Sequence, residues 1–96
     1  MTLPVSAADA KLDPTLLLWL KEGQLAPTSP VPVIIRYEGD FGGRLTDEVL
    51  RLGGQVRHQL TIINALAAWV PLQAVKALAT EGLVNHVELE QRFTMA

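Results

Sequence analysis

The sequence predicts an α+β domain, a four-stranded antiparallel sheet with two helices on one face, in the order β-α-β-β-α-β and preceded by a short N-terminal helix. Three observations carry this. Three short segments alternate at the period of a strand, and a fourth, "ALAAWVP", is a short apolar run closed by a proline. Two segments between them place apolar residues on a single helical stripe. Glycines, prolines and one asparagine fall where those segments must stop.

The first element is "KLDPTLLLWLKEG". Asp13 suits an N-cap and Pro14 the first helical position. Leu16, Leu17 and Leu20 share one face, and Gly23 can end the helix. The spacing predicts a helix over Pro14 to Glu22, packed at the domain edge or serving as a docking or membrane-surface helix. "QLAPTSPVP" has three prolines in nine residues and reads as an extended linker. Residues 1–30 are therefore expected to form an N-terminal helix and linker, 31–91 the compact domain, and 92–96 a tail.

Within that domain "VPVIIRYEG" reads as a strand, with Val33, Ile35 and Tyr37 alternating against Ile34, Arg36 and Glu38. Pro32 cannot donate to a ladder and belongs at the strand's start. In "RLTDEVLRLGG" Leu45, Val49 and Leu52 form a buried helical stripe, and Gly53 and Gly54 stop the helix. "QVRHQLTII" reads as the second strand, with Val56, His58, Leu60 and Ile62 on one side and Gln55, Arg57, Gln59 and Thr61 on the other. A hairpin at Asn64-Ala65 leads to "ALAAWVP", whose Ala65, Ala67 and Ala68 keep the strand low. "LQAVKALATEG" is helical through Leu72, Val75, Leu78 and Ala79, with Gly82 as terminator. "LVNHVELE" is the last strand, with Val87 and Leu89 alternating against His86, Glu88 and Glu90. This is the ferredoxin-like arrangement. Its second sheet face has no helices and is expected to show Arg36, Arg57, Gln59 and Thr61.

Composition narrows the function. Hydrophobic residues are 49% and charged residues 19%, enough apolar surface to fold. The net charge of -2 argues against a nucleic-acid partner, which demands a basic face. One Tyr, two Trp and two Phe make no stacking platform for bases. The absence of cysteine excludes disulfides and thiol catalysis. No apolar run approaches the roughly 20 residues of a membrane span. "MTLPVSAADAKLD" shows no leader pattern. Localisation thus stays open: cytoplasmic if Met1 is the natural start, secreted if a leader was removed.

No phosphate-binding, dinucleotide, zinc-protease or serine-hydrolase motif is present, so no catalytic residue, metal site or cofactor is expected, and the chain reads as a non-enzyme. His58 and His86 lie on different strands, with Glu88 the only companion to His86. Ser6 and Ser29 have no neighbouring base. Acylphosphatases share the topology and need an arginine in a phosphate loop after the first strand. Arg44 is the candidate, but Glu38 and Asp40 would repel a phosphate. Glu88 and Glu90 are more informative. They share a sheet face just before the tail, where a carboxylate can meet the free N–H groups at a partner's helix N-terminus, or merely keep an edge strand solvated.

The ordered series from Pro32 to Ala96 resembles the propeptide of subtilisin-like serine proteases, the inhibitor I9 family. The matching features are the strand "PVIIRY", the helix ending in "GG", the segment "QVRHQLTIINALAAWVP", and "LQAVKALATEGLVNHVELE" with its acidic close. "KLDPTLLLWLKEG" is similar to the helix that precedes such domains in some bacterial subtilases. The resemblance implies a subtilisin-like protease as partner, in cis or in trans, while charge and hydropathy argue against a nucleic-acid or membrane partner. It implies an open sheet face packed on two protease helices, with Glu88 and Glu90 capping them. It also implies that the tail, Arg92, Phe93, Thr94, Met95 and Ala96, runs product-like through the substrate cleft. Ala96 would sit before the scissile bond and Phe93 in a deep apolar pocket. Family propeptides also assist folding of their protease. The alternative is a regulatory or interaction domain that self-associates through its sheet.

Overall fold

A computed structural model describes residues 11–23, 25–39 and 42–90. The elements follow in order: helix α1 (Pro14–Glu22), strand β1 (Pro30–Tyr37), helix α2 (Gly42–Arg51), strand β2 (Gln55–Leu60), a 3-10 turn (Thr61–Ile63), strand β3 (Ala65–Pro71), helix α3 (Leu72–Thr80) and strand β4 (Val84–Leu89). The strands form one antiparallel sheet in the order β2-β3-β1-β4. It is an α+β fold consistent with the ferredoxin-like arrangement.

All three helices contribute to one core on one side of the sheet. Val31, Val33, Ile35 and Tyr37 of β1 alternate into it, joined by Leu66, Ala68 and Val70 of β3 and Val84 and Val87 of β4. Helix α2 lays Leu45 and Val49 over β2 and β3, and α3 adds Leu72, Val75, Leu78 and Ala79 over β3 and β4. These stripes are the ones that helical periodicity predicts, except that Leu52 follows the end of α2 and is only partly buried. Ala68 lies between Val33 and Val56 in the ladder, so its small side chain lets the helices sit close.

Helix α1 has the predicted bounds. Asp13 caps it by accepting from the Thr15 N–H at 2.8 Å, and Gly23 ends it in the left-handed conformation, donating to Trp19 O. Packing is continuous across the proline segment. Leu16 is fully buried and Leu12 nearly so, both in the same core as the strands. The chain just before the helix also pairs with the sheet: Leu12 forms a parallel bridge with Val87, Asp13 N–H donates to Val87 O, and Val87 N–H donates to Lys11 O. The outer edge of β4 is therefore covered by residues 11–13.

Three local expectations are corrected. Strand β1 begins at Pro30, so Pro32 lies inside it. Pro32 is tolerated because β4 ends opposite: its carbonyl accepts from Glu90 N–H, and no ladder bond is needed in return. The second strand stops at Leu60, and Thr61–Ile63 coil into a 3-10 turn that closes on Asn64 at φ 52, a left-handed value that asparagine adopts more readily than branched residues. Finally, β2 carries a bulge. Its register against β3 shifts between Val56 and His58, leaving Arg57 as the extra residue.

The bulge reverses the side-chain parity of the rest of β2. A strand alternates with period two, so one inserted residue exchanges the faces of everything after it. His58 now pairs with Ala67 and Leu60 with Ala65, both on the side without helices. Gln59 turns to the helix side and donates to Thr46 Oγ1 at 3.1 Å. The expectation that Gln59 faces the open side and Leu60 the core is reversed for this reason, and Thr61 belongs to the turn.

Candidate partner-binding face

The open side of the sheet is built from rows of cross-strand partners. One row runs His58, Ala67, Ile34 and Glu88 across β2, β3, β1 and β4. The next runs Leu60, Ala65, Arg36 and His86. Alanines occupy the middle of both rows, so the centre of the face is low. The result is a groove of about 350 Å³ whose walls include Ile34, Leu60, Ile63, Leu89 and Glu90, with Ala67 on its floor.

One end of the face is apolar. Ile62 is 99% exposed, Ile63 and Leu60 are also exposed, and all three sit on or beside the 3-10 turn. A turn of apolar residues gains nothing locally from water and lacks the Gly, Pro, Asp and Ser usual in turns. That mismatch, "LTII" directly before Asn64, was the available signal in the sequence, hidden by reading the run as strand.

The other end is ionic. Glu88 and Glu90 lie on the open face, as the alternation of β4 predicts. Each meets an arginine: Arg36 donates from Nε to Glu88 Oε1 at 3.3 Å, and Arg57 donates from Nη1 to Glu90 Oε2 at 2.6 Å. The first pair is largely exposed, and such pairs contribute at most about 1 kcal/mol. The second is half-withdrawn from water, with Glu90 only 8% exposed. A carboxylate so desolvated needs its donors, because removing them leaves a poorly solvated charge. Neither arginine partnership is legible in the sequence, since the residues are far apart along the chain.

No family model and no curated protein matches this chain.

The other candidates form no comparable site. His58 and His86 both reach the open face but stand on the two outer strands. Among the described residues no three histidine, cysteine or carboxylate side chains come together to hold a metal ion. Arg44 lines a cleft of about 60 Å³ with Glu48 and Glu81, an anionic surrounding unsuited to phosphate. Asp40, Ser6 and the tail residues Arg92, Phe93, Thr94, Met95 and Ala96 lie outside the described residues.

Proposed function

We propose that this chain is a protein-binding domain of the propeptide-inhibitor type, which engages a subtilisin-like serine protease through its open sheet face and is not itself an enzyme. The observation that carries the reading is the placement of Glu88 and Glu90 on the helix-free face at the end of β4, immediately before the tail. An uncovered sheet with a low alanine centre can receive a helical surface closely. Carboxylates at its border can accept the free N–H groups where partner helices begin. The apolar turn at Leu60, Ile62 and Ile63 adds a water-excluding contact at the opposite end. The tail then extends from the acidic end toward a substrate cleft, where strand-like backbone pairing supplies affinity. In cis, the same contacts would favour the folded protease by linkage.

The test is inhibition of peptide hydrolysis by subtilisin-type proteases. The full chain is expected to slow hydrolysis at nanomolar to micromolar concentration, and removal of residues 93–96 to weaken this sharply without altering the fold. Undiminished inhibition by the shortened chain would eliminate the tail's role. The exposed Leu60, Ile62 and Ile63 also suit a second copy of this chain. A stable homodimer that inhibits no such protease would favour that reading instead.

A further inference from the structure

The Arg57–Glu90 pair joins opposite borders of the sheet. Arg57 is the bulged residue of β2, and Glu90 directly follows β4, held there by its N–H bond to Pro32 O. These are the two outermost strands, with β3 and β1 between them. Three inter-strand spacings of about 4.8 Å put their backbones about 14 Å apart on a flat sheet. The contact of 2.6 Å therefore requires both side chains to reach inward across the face. By register they cross near the strip between Trp69–Pro32 and Ala67–Ile34. The alanine floor leaves room for this crossing, and the bulge supplies its anchor: an extra residue that costs ladder regularity but aims Arg57 and His58 to the same side.

We propose that this ion pair is an exchangeable strap that closes the partner-binding face in the free protein. A partner that lies flat on the sheet meets the strap before the floor. Docking therefore requires Glu90 to give up the guanidinium of Arg57 and to take replacement donors from the partner. The face accordingly selects a partner carrying N–H donors or a cation opposite β4. A surface with apolar complementarity alone leaves a desolvated carboxylate and is rejected. The partner's identity as a protease rests on the proposed function, but the closure itself does not.

The experiment has two arms. In the first, Arg57→Met removes the charge while keeping an apolar stem, and Glu90→Gln neutralises the other partner. Each is expected to raise binding of the apolar dye anilinonaphthalene sulfonate severalfold and to speed amide exchange at Ala67 and Ile34, with unchanged far-ultraviolet circular dichroism. In the unaltered protein, nitrogen-15 NMR is expected to show restricted rotation of the Arg57 guanidinium. Free rotation there overturns the strap even if both variants fail to fold, and so does unchanged dye binding in folded variants. In the second arm, association of Arg57→Met with a subtilisin-type protease is expected to be severalfold faster than that of the unaltered chain. Slower association makes Arg57 a direct contact and overturns the exchange. A positive first arm with no inhibition by any form leaves the strap standing and removes the protease reading.

Discussion

Asp13 accepts a hydrogen bond from the backbone N–H of Leu89 at 3.2 Å, 76 positions along the chain, while its other carboxylate oxygen caps helix α1 at Thr15. One side chain thus starts a helix, covers the outer edge of β4 and fixes the residue just before Glu90. Asp13→Ala is expected to lose the cap, about 1 kcal/mol, and to leave a half-buried N–H unpaired, about a further 1–3 kcal/mol. Asp13→Asn keeps an acceptor and is expected to lose less. Urea unfolding measures both, and faster amide exchange at Leu89 in Asp13→Ala locates the change. An unaltered Leu89 exchange rate would show that the edge does not depend on this contact.

Gly54 lies where the α2–β2 connection passes under β3. A Cβ there would stand 2.6 Å from Trp69 O and 2.9 Å from methyls of Val49 and Val70. The carbonyl belongs to the strand backbone and cannot step aside without moving the sheet. Gly54→Ala, a change that elsewhere stabilises by limiting the unfolded chain, is expected to cost about 1–3 kcal/mol through overpacking. A denaturation midpoint at or above that of the unaltered protein would contradict the close approach.

Ile62 separates recognition from stability. At 99% exposure it supports no packing, so Ile62→Ser is expected to change unfolding free energy by less than about 0.5 kcal/mol. If the apolar turn is a protease contact, the same substitution weakens inhibition by about tenfold, the scale of an apolar anchor. Titration of inhibitor against a subtilisin-type protease reads this directly. Equal inhibition by both forms would remove the turn from the interface.

Glu48 and Arg51 give the acid limb of stability a definite sign. The hydrogen bond from Arg51 holds the Glu48 carboxyl below its ordinary value, and the same contact raises Arg51. A carboxyl lowered in the folded state favours folding at pH above its unfolded value, near 4.5, and that contribution disappears as pH falls through the lowered value. Glu48→Gln is therefore expected to lower neutral-pH stability slightly, to flatten the loss of stability in that window, and to match the unaltered protein at lower pH. Arg51 is exposed and Glu48 lies at the surface, so the effect is small and shrinks with added salt. A larger effect in acid, below the lowered value, than at pH 7 would reverse this assignment.

Much of the architecture was legible because it follows from local periodicity. Asp13, Pro14 and Gly23 mark the ends of α1, and Leu45 and Val49 mark the buried stripe of α2. The alternation of Val87 and Leu89 against Glu88 and Glu90 places the carboxylates on the open face. These signals survive because each depends on residues within one or two turns of one another. The decisive feature of the site is of another kind. The bulge at Arg57 is a misfit between β2 and β3, and no property of β2 alone specifies it. It turns Leu60 outward and, with the 3-10 turn, creates the apolar end of the face.

By itself, then, the sequence determined the order of elements, the helix-facing residues and the border on which Glu88 and Glu90 stand. Only the tertiary structure decided that Lys11–Asp13 cover the edge of β4, that His58 and Leu60 share the open face, and that Arg57 reaches Glu90 across two intervening strands. The physical reason is common to all three. Each depends on register and distance between segments brought together by the core, and one residue's shift in register moves a side chain from one face of the sheet to the other.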